Sequence, residues 1–276
     1  MRVSLAQMCS VPDVVANTDA VCELIRRAAL DQCDLIVFPE ASMYPFGQGR
    51  LDSVAEPLDG CFATRIREVA EAAGIVAVVG MFVPADFVET KDGTRQRVDN
   101  VAVAVGRDGA GGERVSAVYR KIHCYDAFGY RESDTVRPGG ELAYFQCAGM
   151  CVGMATCYDV RFPEQFKDLA RGGAEVIVVP TSWSDGPGKR EQWRTLTAAR
   201  ALDSTTWIVA VGQARPGGYD KAGQAAGPTG IGHSVVVGPD GTRVAELGYT
   251  CGYVTATIDS GRVDSVRESL PVLGED

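Results

Sequence analysis

The segment Cys151–Gly173, "CVGMATCYDVRFPEQFKDLARGG", sets the fold class of the whole chain. Its first six residues form a short apolar run of strand length. Its second half, opened by Pro163, carries apolar residues at helical spacing, and proline suits a helix's first turn because its missing N–H would find no partner there. Strand, sharp turn and helix follow one another directly. Cys157 lies at the turn, where a side chain is exposed beside a helix N-terminus and where the free amides and dipole would favour a thiolate. The chain has nine cysteines, and a free cysteine is most often a small buried hydrophobe. Position and company must decide between the two readings.

Working outward, the same strand-like runs recur at 3–7 (VSLAQ), 34–40 (DLIVFPE), 74–82 (GIVAVVGMF), 101–105 (VAVAV), 175–182 (EVIVVPTS), 206–212 (TWIVAVG) and 233–238 (HSVVVG). Runs apolar on both faces belong to strands covered on both sides. Helical patterns lie between them: 17–30 behind an Asn17 cap, 61–74 ending at Gly74, 163–173, and 191–203. Alternating strands and helices make the chain α/β. The order "DLIVFPE", helix, "GIVAVVG" is echoed by "EVIVVPTS", helix, "TWIVAVG", which raises the possibility of two pseudo-symmetric halves. Asp-Gly turns within 107–119 and 238–247 mark hairpins that add antiparallel strands. The Gly-rich segment 215–232 has no periodicity and reads as a mobile surface loop. No shift in composition divides the 276 residues, so a single domain over 1–276 is expected.

A formal charge of −9 lacks the basic footprint of a nucleic-acid binder. No run is long and apolar enough for a membrane span, and the N-terminal apolar run is too short and polar for a signal sequence. With an odd cysteine count, no CxxC pair and two histidines (His123, His233) lacking metal-ligand spacing, reduced thiols in a cytoplasmic protein are expected, without a metal. No phosphate-cradling glycine motif follows a strand, so no nucleotide cofactor is expected.

Ligands of α/β sheets bind beyond the carboxyl ends of the strands. Glu40 ends "DLIVFPE" as an acid after a mostly apolar run, either partly buried or, more plainly, a helix cap or surface acid. Lys121 lies in "YRKIHCYDAFGYRES" after the strand-like "VSAVY", with a solvated lysine beside Arg120 as the plainer reading. Glu132, in the same segment, is equally a second buried acid or a surface loop acid. Asp159 reads first as a structural hydrogen-bonder. Arg161 either clamps a substrate carboxylate bidentately or pairs with a nearby acid. Ser182 and Trp183 stand where a pocket wall belongs, though an aromatic at a strand end is often only packing.

Together, "FPE" at 38–40, "YRKIH" at 119–123 and "CYDVRFPE" at 157–164 resemble the three catalytic blocks of the nitrilase superfamily of carbon-nitrogen hydrolases. The resemblance continues through "GPGKREQWRTLTAARALDS" at 186–204, "GHSVVVGPDG" at 232–241 and "LPVL" at 270–273, and is strongest to the Nit-type amidase branch of ω-amidases and deaminated glutathione amidases. It implies an α-β-β-α sandwich, homodimers or higher homo-oligomers, and a catalytic Glu, Lys and Cys at Glu40, Lys121 and Cys157, with the second glutamate at Glu132.

Amide hydrolysis needs a nucleophile, a proton for the departing amine and a cradle for the oxyanion. Cys157 would attack, giving its proton to Glu40, whose pKa burial would lift toward working pH. Lys121 and the backbone N–H of Tyr158 would hold the oxyanion. The expected substrate is a small carboxylate-bearing amide, of the deaminated glutathione or 2-oxo acid ω-amide type. An N-carbamoyl amidohydrolase, an aliphatic amidase or a nitrilase would use the same residues. A ligand-binding or regulatory protein on this fold would have no need of all four.

Overall fold

Valine- and isoleucine-rich runs bury both of their faces, and so become the parallel centres of two sheets. In chain order the computed structural model, which describes residues 1–90, 93–127 and 129–274, contains β1 (Arg2–Gln7), α1 (Val14–Leu30), β2 (Leu35–Val37), α2 (Cys61–Ala73), β3 (Val76–Thr90), β4 (Gly93–Arg107) and β5 (Arg114–Arg120). A short pair, β6 (Asp126–Ala127) and β7 (Tyr130–Arg131), leads to β8 (Ala143–Cys147), β9 (Met150–Met154), α3 (Pro163–Arg171), β10 (Val176–Thr181) and α4 (Lys189–Ser204). The chain ends in β11 (Trp207–Gly212), β12 (Val235–Val237), β13 (Arg243–Glu246), β14 (Gly252–Thr257) and α5 (Ser260–Ser269).

The two large sheets run β14-β1-β2-β3-β4-β5 and β13-β12-β11-β10-β9-β8. β1, β2 and β3 are mutually parallel, as are β9, β10 and β11. In each sheet one antiparallel strand pairs outside the first of the trio and two more follow the third. The echo in the sequence is thus a repeated topology.

Side-chain alternation along each strand builds the layers. Val3, Leu5, Val37 and Val78 of one sheet meet Val152, Met154, Val178 and Val209 of the other in a shared core. The opposite residues of the first sheet, among them Ala6, Ile36, Ala77 and Val79, pack under Val21, Ile25, Phe62 and Ile66 of α1 and α2. Ile177, Val179, Ile208 and Ala210 pack under Phe166, Leu169, Trp193 and Ala201 of α3 and α4. The result is the α-β-β-α sandwich. Each large apolar side chain buried this way contributes about 1.5–3 kcal/mol.

Some expectations are corrected. Asn17 does not cap α1: the cap is Asp13, whose Oδ1 accepts the Ala16 N–H (3.0 Å). Asn17 is buried within the helix, and its Nδ2 donates to the Val11 and Met43 carbonyls (2.7 and 2.9 Å), tying the chain after Glu40 to α1. The Gly-rich segment 215–232 is tied down at several points. The Asp185 carboxylate accepts from Arg215 Nε and the Gly223 N–H, both at 3.0 Å, and the Pro228 carbonyl accepts Ser182 Oγ–H (2.6 Å). Gly74 does end α2, in the left-handed conformation (φ 64°). Among the described residues no helix is long and apolar enough to cross a membrane.

β2, β5, β9 and β10 all end on the same side of the sandwich, and the segments leaving them converge there. Gly80 on β3 makes one approach possible, since a Cβ there would lie 2.8 Å from Glu40 Cα, the Ala41 nitrogen and the Pro39 carbonyl oxygen. Gly80→Ala is expected to push the Glu40 bend off β3 and to cost about 1–3 kcal/mol as overpacking, or about 5 °C in melting temperature. An unchanged melting curve would show that the bend has room to spare.

Candidate active site

Glu40 leaves β2 through a bend in which the next residue, Ala41, has φ 58°. Burial of its carboxylate, 1% exposed, needs donors, and three are present. Oε1 accepts from Asn100 Nδ2 (2.7 Å) and Lys121 Nζ (2.9 Å), and Oε2 accepts the Ser182 N–H (2.9 Å). The bend itself is held by Gln213, whose Nε2 donates to the Glu40 carbonyl (3.0 Å) and to Ser10 Oγ (2.7 Å).

Lys121 follows the last residue of β5, and strand alternation explains its direction. Tyr119 and Lys121 point inward, both buried, while Arg120 between them points out and pairs with Asp99 (2.8 Å). The surface reading therefore fits Arg120 and not Lys121. Lys121 Nζ donates to Glu40 and to both oxygens of Glu132 (3.0 and 2.8 Å). Burial pulls its pKa down, but the Glu132 and Glu40 carboxylates outweigh that and hold it well above an ordinary lysine. Glu132, 2% exposed, is a buried acid, and it also accepts the Tyr125 N–H (2.6 Å).

Cys157 has φ 48°, a strained value for a residue with a side chain, at the head of a 3-10 turn over Cys157–Arg161. The α-helix begins later, at Pro163, so the expected dipole-stabilised thiolate is not what this turn provides. Burial and then the Glu40 charge push the Cys157 thiol well above the usual value, with Lys121 and the Ser182 N–H pulling weakly the other way. Burial and the neighbouring Glu40 thus both favour the neutral thiol over the thiolate. Asp159 anchors the turn: it is fully buried and accepts from Tyr119 Oη (2.6 Å), the His123 N–H (3.0 Å) and the Thr156 N–H (2.8 Å). Its structural reading holds. His123 stacks on Phe162 at 3.5 Å and contacts Asp159 through Nδ1, and His233 faces Glu246.

Glu40, Lys121, Glu132 and Cys157 line one pocket with Tyr158, Arg161, Ser182 and Trp183. The four expected catalytic residues and the four expected pocket residues therefore meet. Ser182 contributes its backbone N–H to Glu40. The Arg161 guanidinium lies 5.0 Å from the Trp183 ring and 5.7 Å from that of Tyr158, donates to Gln192 Oε1 (2.9 Å), and has no carboxylate partner among the described residues. Trp183 Nε1 donates to the Lys189 carbonyl (3.2 Å). Sequence reasoning missed Asn100 and Gln213. A lone amide beside an apolar strand carries no spacing signal, although an uncharged polar residue next to "VAVAV" could have prompted the question of its partner.

These charges predict that the ultraviolet thiolate band of Cys157, taken as the difference between wild type and Cys157→Ser, is absent at neutral pH and emerges only above pH 9.0, the ordinary thiol value. A full thiolate band at pH 7 would contradict this arrangement.

The carbon-nitrogen hydrolase family model matches residues 2–268. A Mycobacterium tuberculosis hydrolase is 43% identical over 99% of this chain and 94% of its own length. A deaminated glutathione amidase of Escherichia coli O157:H7 is 35% identical over 93% of this chain and 90% of its own. The crystal structure of Saccharomyces cerevisiae Nit3, a member of the nitrilase superfamily, superposes with a TM-score of 0.78 at 26% identity, covering 99% of this chain and 94% of that one. With its sandwich, its pocket and this match over nearly all its length, the chain belongs to the carbon-nitrogen hydrolase family.

Proposed function

We propose that the protein is a thiol amidohydrolase that removes ammonia from the terminal carboxamide of a small carboxylate-bearing substrate. The observation that carries this reading is the convergence of a buried thiol, a buried carboxylate and a doubly paired ammonium in one pocket. Glu40 takes the Cys157 proton as the sulfur attacks the amide carbon, and a tetrahedral oxyanion forms. Lys121, one of whose three N–H donors turns from its carboxylates to the oxyanion, and the Tyr158 N–H next to the nucleophile receive that charge, a role worth about 3–4 kcal/mol per donor. Glu40 returns the proton to nitrogen, the C–N bond breaks, and ammonia leaves a thioester on Cys157. Water, deprotonated by Glu40, then releases the carboxylic acid and restores the thiol. Glu132 holds the Lys121 ammonium from both of its oxygens.

Arg161 supports the carboxylate part of the proposal. Its Nε is buried without a partner and its guanidinium lines the pocket beside two aromatic rings. The pocket continues past Tyr125, Ser184, Lys189 and Pro228 into a groove between 184–187 and 225–228. A substrate longer than a bare amide fits this shape, as deaminated glutathione or a 2-oxo acid ω-amide would. A cytoplasmic homodimer belongs to the same reading; all nine cysteines are free thiols, in keeping with a reducing compartment.

Ammonia release from deaminated glutathione, 2-oxoglutaramate and a simple aliphatic amide tests both parts. Cys157→Ala is expected to lower kcat at least about a thousandfold on every substrate hydrolysed. Arg161→Leu is expected to raise KM about ten- to a hundredfold for the carboxylate-bearing amides and to leave the aliphatic amide unchanged. Turnover that survives in Cys157→Ala would remove the nucleophile assignment, and an equal effect of Arg161→Leu on all amides would remove the carboxylate clamp.

A further inference from the structure

Two donors and two carboxylates form a closed ring behind the nucleophile. Lys121 Nζ bridges Glu40 Oε1 and Glu132 Oε1 (2.9 and 3.0 Å), and Asn100 Nδ2 bridges the same two oxygens (2.7 and 3.3 Å). One ammonium cannot by itself balance two buried carboxylates. The second donor is a neutral amide whose N–H groups still favour the charged form of both. Asn100 is 1% exposed, and its backbone carbonyl accepts the Lys121 N–H (3.0 Å), so the residue fixes both the main chain and the side chain of this corner. Its Oδ1 is buried without a partner. An amide flip would bring that oxygen against two carboxylates, so the ring determines which end of the amide faces them.

We infer that Asn100 is a positioning residue that keeps Glu40 turned, so that Oε1 is held within the ring and Oε2 is the oxygen that exchanges the proton with Cys157. The inference rests on the roles given above to Glu40 and Cys157. With Oε1 already accepting from an ammonium and an amide, only Oε2, held by the Ser182 N–H, has capacity left for the thiol proton. Asn100 thereby decides which Glu40 oxygen faces the thiol.

Beyond Tyr125, Tyr158, Arg161 and Lys189, which share the pocket, further charged or titratable groups adjoin the ring. Lys121 enters from the end of β5, Cys157 from the turn after β9, and Cys124 lies near Glu132, its thiol pushed up to about 12 by burial and that carboxylate. Asp99, adjacent in sequence, is taken up elsewhere by Arg120 and Arg137. None of these supplies a second donor in place of Asn100.

The sign of the effect follows. Removing a donor to the ionised form raises the carboxyl pKa, so the acidic limb of kcat/KM must move to higher pH. In Asn100→Ser the limb is expected to rise by about one pH unit, with activity at pH 6 falling more than at pH 8. In the isosteric Asn100→Asp, which places a third carboxyl against the other two, it is expected to rise further. A folded variant that loses the same fraction of activity at every pH, or keeps the wild-type limb, would overturn the inference.

A readout without activity comes from the unmodified enzyme. The chain has only two asparagines, Asn17 and Asn100, so ¹⁵N-asparagine labelling gives two side-chain amide signals. Asn17 bonds to main-chain groups, and its signal should stay fixed through acid titration. The Asn100 signal should shift along the same curve as the kinetic limb and lose that dependence in Glu40→Gln. Two amide signals that both ignore pH would sink the inference even if no Asn100 variant folds. Activity surviving in Glu40→Gln would instead sink the catalytic reading on which it rests.

Discussion

The structure is organised around one expensive arrangement: two carboxylates, Glu40 and Glu132, buried against a single lysine ammonium. Taking such charges out of water costs several kcal/mol per ion, and removing one partner of a buried pair typically costs about 3–5 kcal/mol. A site of this kind persists only where the surrounding framework supplies donors and cannot relax away. Here Ser182, Tyr125 and Asn100 donate to the carboxylates, and Gly80, Gln213 and Asn17 hold the main chain that carries Glu40. Because the folded Lys121 has a pKa above the ordinary lysine value of 10.5, its pairing stabilises the fold fully below that value. The contribution is lost only as pH rises above 10.5 through the folded pKa. The ammonium is therefore in place throughout the neutral range.

The paired sheets explain why these groups meet. Each half of the chain sends parallel strands toward the same end, and the ends of β2 and β5 in one sheet face those of β9 and β10 in the other. Glu40 and Lys121 come from the first sheet, Cys157 and the Ser182 N–H from the second. Apolar packing between the sheets fixes their separation, so the rigid core and the reactive groups depend on each other. The left-handed backbone at Ala41 and Cys157 is strain that the core is able to hold.

Much of this was legible in the sequence, for identifiable reasons. Runs such as "EVIVVPTS" are apolar on both faces, which only a covered parallel strand requires. Glu40, Lys121 and Cys157 each end or follow such a run, and Glu132 falls in the polar, aromatic segment behind Lys121. Asn17 misled because its type suits a cap, whereas Asp13, four residues earlier, had the same chemistry and the better position. Asn100 stayed hidden because its partners lie 60 and 32 residues away and no local pattern records a long-range hydrogen bond. The upward push on the Cys157 thiol was also out of reach, since it follows from burial next to Glu40 and not from the turn that presents it. The Gly-rich segment looked mobile because glycine leaves no periodic trace. What ties it down are hydrogen bonds from other loops, the Asp185 carboxylate and Ser182 among them.

The central claim is that Cys157 carries the acyl group during turnover. Intact-mass analysis of enzyme quenched while hydrolysing deaminated glutathione or an ω-amide, followed by peptide mapping, tests it directly. The account predicts a mass increase equal to the substrate less ammonia, located on Cys157 and absent from Cys157→Ala. Ammonia release with no acylated enzyme at any quench time, or an adduct on a different cysteine, would contradict it.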